Sequence, residues 1–377
     1  MKVLILGGGG MEGRTVARDL ANSGVKKLIL ADYNLEAADS VAETLRKECD
    51  AKVKTVFVDA NDYDALVKVI KEADAKVAVN MIGPFFKYGV QIAKASIEAR
   101  VNHVDICDDS DPANEVLDTL NEAAKAAGVT VLVGCGATPG LSNMLSKYGA
   151  MQLEKTDKIN IDWLWPGLTG GGVAALTHGF KMYSGTCPQY IDGKVQQLPA
   201  GTENVKVKSS DGKYEGIVHY VGHGEPATLP RYINANEITC MGGLMPEEVD
   251  KYFFNFMKAG LADTTPMEVQ GNMISLPHVA MGILIREFSD MEMENPEDGY
   301  CRIKIVGTKD NKEQKFVYEV SGNGSHMTSY PTSVVTQMIL NGEINMPGTH
   351  APEALKKEQL EKVFSEVQKR GVEIKGL

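Results

Sequence analysis

The tightest constraint in this chain lies in its first thirty-two residues. A strand-like apolar run, Val3 to Leu6, empties directly into four glycines, Gly7 to Gly10. An amphipathic stretch from Met11 to Ala21 follows, and a second apolar run, Leu28 to Ala31, stops at Asp32. Strand, glycine turn, helix, strand and acid is the order in which a Rossmann unit receives a dinucleotide. The glycines read as GxGxxG (Gly8, Gly10, Gly13) and equally as GxxGxxG (Gly7, Gly10, Gly13). Glycine alone signals only a tight turn; the acid 19 residues beyond Gly13 (32 − 13) supplies the context. Gly7, Gly8, Gly10, Met11 and Gly13 are therefore the candidate pyrophosphate-binding residues, on a helix N-terminus that offers N–H groups to an anion. Asp32 is the candidate acceptor for the ribose hydroxyls.

A carboxylate at Asp32 repels a 2′-phosphate, and the adjoining Tyr33 and Asn34 supply no cation to neutralise it. The expected cofactor is NAD, with NADP disfavoured. Lys26 and Lys27 precede the second strand and are not placed at the ribose.

Alternation of strands and helices continues. Helices are expected over Leu35–Lys47, Asp62–Glu72 (with Asp62 as N-cap), Phe86–Ala99 and Pro112–Ala127. Strands are expected over Val53–Val58, Lys76–Asn80, Val101–Ile106 and Val129–Val133. Six strands alternating with helices give a doubly wound parallel Rossmann sheet, with ligands outside the carboxyl ends of the strands. From about Lys155 the texture changes to an α+β second domain with a mixed or antiparallel sheet. It shows strand-like runs at Ile159–Trp163, Tyr214–Tyr220 and Ile238–Met241, and helices at Pro246–Lys258 and Pro277–Phe288. A hairpin, Tyr300–Gly307 with Glu313–Val320, is joined through Lys309 to Lys312. Helices return at Thr332–Leu340 and Pro352–Lys369. The expected division is 1–130 with 325–377 for the dinucleotide-binding domain, and 131–324 for a substrate and dimerisation domain.

At 377 residues the chain suffices for two domains. A net charge of −11 argues against nucleic acid or an anionic membrane surface as partner, since both require a basic footprint. Six cysteines at wide spacings, with no CxxC, resemble neither a zinc site nor a disulfide framework, so no metal is expected. The N-terminal apolar run is too short for a signal-peptide core, and no apolar stretch reaches the ~20 residues of a membrane span. A cytoplasmic setting and a homodimeric assembly are expected.

Strand ends mark the mouth of a cofactor site. The third strand leads to Asp59, and the fourth to Asn80, Gly83 and Pro84, all candidate cofactor residues. The fifth ends in an acidic mouth, Asp105 to Asp109, with Asp109 and Asp111 read as helix caps. The sixth opens the turn Gly136–Asn143, whose Pro139 and Gly140 complete the cofactor set and whose N–H groups would face the nicotinamide or an anionic substrate group.

These pieces together resemble the saccharopine dehydrogenase-like family, which includes saccharopine reductase, lysine 6-dehydrogenase and carboxynorspermidine dehydrogenase. The resemblance rests on the Gly7–Gly13 turn, Asn80-Met81-Ile82-Gly83-Pro84-Phe85, His103-Val104-Asp105, Gly136 to Asn143, and Tyr330-Pro331-Thr332. In layout the chain is most similar to lysine 6-dehydrogenase, a member that the resemblance associates with NAD. The resemblance implies hydride transfer at a C–N bond of an amino-acid or amine substrate. The implied type is lysine 6-dehydrogenase or saccharopine dehydrogenase, with a carboxynorspermidine dehydrogenase type as the alternative. A nicotinamide-sensing regulator without catalysis and an oxidoreductase acting on C–O remain competing classes.

Amine oxidation needs a group that exchanges the amine proton and a cation for a substrate carboxylate. Among seven histidines, His178 (following Gly170-Gly171-Gly172 in a loop-rich stretch) and His223 (just before Glu225-Pro226) lead for the proton, with Asp105 as rival. Of eight arginines, Arg231 in Leu229-Pro230-Arg231-Tyr232 is the carboxylate candidate, because a guanidinium can fork onto both oxygens.

Overall fold

Val3, Leu4, Ile5 and Leu6 are all fully buried, the burial of a central parallel strand covered on both faces. A computed structural model describes residues 1–167, 173–263, 265–288, 291 and 295–377. The Gly170–Gly172 run read in the sequence lies outside the described residues. The chain separates into two compact units, Met1–Tyr148 with Ser325–Val372, and Gly149–Gly324 with Glu373–Leu377.

The first unit alternates β1 (Lys2–Leu6), α1 (Met11–Asn22), β2 (Lys27–Asp32), α2 (Leu35–Glu48), β3 (Lys52–Phe57), α3 (Tyr63–Ala73) and β4 (Val77–Asn80). It continues with α4 (Phe85–Glu98), β5 (Asn102–Asp105), α5 (Ser110–Thr119), α6 (Asn121–Ala127), β6 (Thr130–Leu132) and α7 (Leu141–Ala150). The strands order β3-β2-β1-β4-β5-β6, all parallel, so the order reverses between β1 and β4 as in a doubly wound sheet. Asp62 caps α3 as expected, its carboxylate accepting from the Ala65 N–H. The single helix expected over Pro112–Ala127 is two, broken at Leu120. At the break, Asn121 turns its side-chain oxygen to the Thr349 N–H.

The second unit comprises β7 (Lys155–Pro166), α8 (Val173–Met182), β8 (Thr186–Ile191), β9 (Lys194–Pro199), β10 (Val205–Lys208), β11 (Glu215–Tyr220) and α9 (Glu225–Thr228). There follow a 3₁₀ turn at Leu229–Arg231, β12 (Glu237–Met245), α10 (Glu247–Lys258), β13 (Met267–Val269), β14 (Asn272–Ile274), α11 (Leu276–Phe288), β15 (Asp298–Lys309) and β16 (Lys312–Asn323). Its sheet is mixed: β12 runs parallel to β7, whereas β15 runs antiparallel to it. The β15–β16 hairpin closes on Asp310 and Asn311, both in the left-handed region (φ 53 and 57), as a two-residue turn matched to the strand twist requires.

The chain then returns through α12 (Gly324–Leu340), β17 (Gly348–His350), a 3₁₀ turn at Pro352–Ala354 and α13 (Lys357–Lys369). β17 extends the parallel sheet beyond β6, and β18 (Glu373–Lys375) pairs with β16 in the mixed sheet. The last long helix begins at Lys357 rather than at Pro352. Leu355 is extended there, and the Lys356 N–H is taken by the Gln359 side chain, which fixes the helix start. α12 begins eight residues before the expected Thr332 (332 − 324), running through Pro331.

Candidate functional site

The turn between β1 and α1 is built from glycines, and at Gly7, Gly8 and Gly13 the backbone or its neighbours leave no place for a side chain. Gly7 is left-handed (φ 81). A Cβ on Gly8 would lie 2.7 Å from the Leu30 Cβ, and one on Gly13 would lie 2.0 Å from the Gly7 carbonyl oxygen. Helix α1 thereby packs closely on the turn, with Gly10 as an N-cap that has no side chain to fill it. Among the described residues the Met11, Glu12 and Gly13 N–H groups find no acceptor; the first helical bond is Arg14 N–H to the Gly10 oxygen. An uncapped helix start of this kind suits a phosphate oxygen.

Asp32 ends β2 beside this turn. Its Oδ2 accepts from the Gly9 N–H at 2.8 Å and its Oδ1 from the Asn34 N–H at 2.8 Å. Acid and glycine turn are therefore one hydrogen-bonded unit, and the remaining carboxylate lone pairs are directed by it. Asp59, beyond β3, accepts from the backbone and side chain of Asn61, and these bonds hold its carboxyl below the usual range. Asn80, fully buried at the end of β4, accepts from the Ile82 N–H, whereas its Nδ2 has no partner among the described residues. A buried amide donor left open at a strand's carboxyl end fits a bound group that carries an acceptor oxygen. Gly83 and Pro84 lead from there into α4, where the Phe86 N–H donates to Asp109 at 2.9 Å. Asp109 thus caps α4 with its carboxylate, not α5, whose start it precedes.

The turn after β6 departs from expectation. Gly140 (φ 136) has its N–H taken by Asn143 Oδ1 at 3.0 Å, and the Leu141 and Ser142 N–H groups bond to the Gly136 and Ala137 oxygens. Asn143 in turn donates to the buried Glu353 at 2.8 Å. Three of the N–H groups assigned in the sequence to a nicotinamide or an anion, those of Gly140, Leu141 and Ser142, are used within the turn itself. Asp105 is likewise occupied. Its Oδ1 accepts from the Cys107 and Gly134 N–H groups (3.0 and 2.8 Å), and its Oδ2 meets His103 Nε2 at 3.0 Å. His103 reaches Ser96 with its other nitrogen. This buried chain ties the ends of β5 and β6 together.

In the second unit, His178 lies on α8 and not in a loop. Its ring centre is 6.2 Å from that of His223. His223 is buried, 5.5 Å from the Trp163 ring, and its Nδ1 bonds Glu225 Oε2 at 2.7 Å. A carboxylate acceptor requires the hydrogen on Nδ1, which makes Nε2 the basic nitrogen. Glu225 was not singled out by sequence reasoning, although His223-Gly224-Glu225 places it two residues away. The Cys240 thiol brings its sulfur within 4.8 Å of donor atoms of both His223 and Glu225, a set with metal-ligand chemistry. Burial, and next the Glu225 charge, push that thiol well above its ordinary range. A second buried pair, His219 with Asp250 at 3.0 Å, also receives the Leu244 N–H and so fastens β11, β12 and α10. Arg231, at the end of the 3₁₀ turn after α9, is exposed. Arg302 is half-buried and committed to Asp162, its cross-strand neighbour, at 2.6 Å.

Sequence and structure comparisons add what this scaffold is similar to. Residues 3–132 match the model of the family described as the saccharopine dehydrogenase NADP binding domain. That match covers the first unit's parallel sheet from β1 to β6. It is 24% identical to carboxynorspermidine synthase of Vibrio cholerae over 94% of this chain and 92% of that protein. Carboxyaminopropylagmatine dehydrogenase of Synechocystis is 25% identical over 39% of this chain and 37% of that protein. Saccharopine dehydrogenase (L-Glu forming) of Saccharomyces cerevisiae superposes with a TM-score of 0.68 at 14% identity, covering 100% of this chain and 99% of that one, a likeness of fold. Among the described residues no helix is long and apolar enough to cross a membrane.

Proposed function

We propose that this saccharopine dehydrogenase-like chain is a nicotinamide-dependent oxidoreductase that transfers hydride at a C–N bond of an amino-acid-like or amine substrate. The observation that carries the reading is the saccharopine dehydrogenase NADP-binding domain over residues 3–132. The open first turn of α1 supports it from geometry, since Gly7, Gly8, Gly10, Met11 and Gly13 would hold the pyrophosphate there. Asp32 would accept the adenine-ribose hydroxyls, and Asn80, Gly83 and Pro84 would meet the nicotinamide half. When bound, the cofactor supplies the hydride acceptor or donor. The family description names NADP, whereas Asp32 stands against a 2′-phosphate, so the proposed preference is NAD.

Only a neutral amine releases hydride readily, so the amine proton must leave before oxidation, or be returned in the reverse direction. His223, oriented through Nδ1 by Glu225, is the proposed exchanging group, with His178 beside it. Arg231 is the proposed carboxylate contact. Saccharopine and carboxynorspermidine are both secondary amines that carry a carboxylate. The near full-length match to carboxynorspermidine synthase favours that substrate class over lysine itself.

The test is a turnover screen that follows reduced nicotinamide with NAD and NADP in turn. Saccharopine, carboxynorspermidine, lysine and simple hydroxy acids form the panel. Turnover of a carboxylated secondary amine is expected. Activity confined to hydroxy acids would move the chemistry to C–O. Cofactor binding with no turnover on any amine would favour a sensor.

A further inference from the structure

The amino ends of the first unit's strands carry a row of like charges. Lys2 pairs in register with Lys27, and Lys27 with Lys52. In-register residues of parallel strands point to one face and stand about 4.8 Å apart, and Lys54, two residues beyond Lys52, joins that face. Lys76, whose N–H bonds the Lys2 oxygen, extends the row toward β4. Like charges side by side on neighbouring strands repel, and only one end of this row is settled. Lys2 Nζ donates to the Ala73 oxygen at 2.7 Å and to Asp74 at 3.2 Å, and Lys76 Nζ to the Leu340 oxygen at 2.9 Å. The ammonium groups of Lys27, Lys52 and Lys54 have no acceptor among the described residues.

Lys2, Lys27, Lys52 and Lys54 border a cleft of about 600 Å³ between α3 and the face of β2 and β3, a size usual for small-molecule sites. Its floor is apolar: Ile29 and Val56 are half-buried, and with Val69 of α3 they pack on the core of Leu4, Leu66 and Ile70. Glu72 is the carboxylate on its wall, and it lies 3.9 Å from Lys68. Four ammonium groups thus meet one carboxylate here, in a chain whose net charge is −11. An ammonium acts as a point charge and suits a phosphate, whereas a planar carboxylate is gripped best by the arginine fork. The nearby Arg46 is committed to the Val53 oxygen at 2.8 Å. We propose that this cleft is an anion site for a phosphorylated small molecule, whose phosphate meets Lys27, Lys52 and Lys54 and whose apolar part rests on Ile29, Val56 and Val69. The site lies at the amino ends of the strands, about 13 Å along β1 from the glycine turn. It is therefore separate from the dinucleotide site and does not depend on that reading.

Ligand-observed NMR titration of the full chain with phenyl phosphate, inorganic phosphate and phenol tests the proposal. Phenyl phosphate should bind with a Kd of about 1 mM or lower, about tenfold tighter than inorganic phosphate, and phenol should not bind measurably. Raising KCl from about 50 mM to about 500 mM should weaken phenyl phosphate binding several-fold. Lys27→Gln combined with Lys52→Gln should weaken it about tenfold or more with the melting temperature kept, because the row loses its mutual repulsion along with its charge. Lys26→Gln should leave it unchanged, since that ammonium is paired with Asp50 and does not line the cleft. Phenyl phosphate should also stay bound at saturating NADH. No binding by the unmodified protein at about 10 mM phenyl phosphate overturns the proposal, and this measurement needs no variant. Binding that survives the double substitution overturns it as well. So does binding that NADH displaces, which would put the phosphate in the glycine turn. Equal affinity for phenyl phosphate and inorganic phosphate overturns the proposed ligand class, because the apolar floor would then contribute nothing.

Discussion

Two glycine turns of the first unit read alike in sequence and differ in what they leave open. Gly7–Gly13 and Gly136–Asn143 both follow a parallel strand and both open a helix. The first has a glycine N-cap, and the N–H groups of Met11, Glu12 and Gly13 meet no acceptor among the described residues. In the second, Asn143 supplies the acceptor that a ligand would otherwise provide, and Glu353 holds Asn143 in place. Glycine at a strand end therefore licenses a close approach without saying of what. Whether the approaching group is a ligand or the protein's own side chain depends on a residue three positions downstream.

That contrast can be broken most decisively at the glycines. Gly13→Ala sets a Cβ 2.0 Å from the Gly7 oxygen, and Gly140→Ala sets one 2.0 Å from the Gly136 oxygen at φ 136. Both displace backbone, at about 3 kcal/mol or more each. In Gly13→Ala the displaced atoms form the proposed phosphate cradle, so dinucleotide affinity measured by fluorescence of the reduced cofactor should fall about a hundredfold or more. In Gly140→Ala the melting temperature should drop, while molecules that remain folded bind dinucleotide as before. Equal losses of affinity in both variants would place a ligand at the second turn after all.

The second unit offers a matching pair, and it sharpens the comparison for histidines. His223–Glu225 and His219–Asp250 are both buried imidazole–carboxylate contacts. Asp250 spends its other oxygen on the Leu244 N–H, tying three elements, whereas Glu225 sits on the four-residue helix α9 next to the His223 loop. His223→Asn should lower kcat about a hundredfold with dinucleotide affinity intact, and the acidic limb of the pH–rate profile should change with it. Glu225→Gln should move the same limb, because it removes the partner that fixes the Nδ1 tautomer. His219→Asn should lower thermal stability and leave the profile in place. If His223→Asn keeps full turnover, proton exchange passes to His178; Asp105 is a poorer rival because its oxygens are already engaged by three donors.

How much of this was legible in sequence follows the same physics. Parallel strands buried on both faces appear as unbroken apolar runs, so β1, β2 and β4 were readable, and the glycine turn with Asp32 stood out by spacing. The edge strands β9 and β10 carry lysine, glutamine and proline on exposed faces and gave no run to notice. β17 is three residues, Gly-Thr-His, held by pairing with β6 and not by its own pattern. Pro331 and a polar lead-in concealed the first half of α12, whose Ser325 and Ser329 fall on one face against Glu12. Sequence periodicity reports burial and not partners. Glu12 and Glu225 therefore passed unremarked, although each stands beside residues that were singled out.

Asp32 tests cofactor choice within the open turn. Its two oxygens are held by the Gly9 and Asn34 N–H groups, so Asp32→Ser loses a tie to the turn as well as a charge. The ratio of NAD to NADP affinity should shrink by about tenfold, chiefly through weaker NAD binding. Better use of NADP than NAD by the unmodified protein would remove the proposed preference and leave the dinucleotide site in place.

The smallest expected effect is at Arg231. The side chain is exposed at the end of the 3₁₀ turn that follows α9, and a guanidinium in water gains less from a carboxylate than a buried one does. If it forks onto the substrate carboxylate, Arg231→Lys keeps the charge and loses the bidentate geometry. The expected result is a KM raised several-fold, on the order of 1 kcal/mol, with kcat held, because the carboxylate is gripped equally in ground and transition states. An unchanged KM would transfer that role to another cation. Arg302 is the first to examine, since freeing it requires only that a substrate carboxylate displace Asp162. An Asp162→Asn variant that lowers KM would then identify Arg302 as the contact.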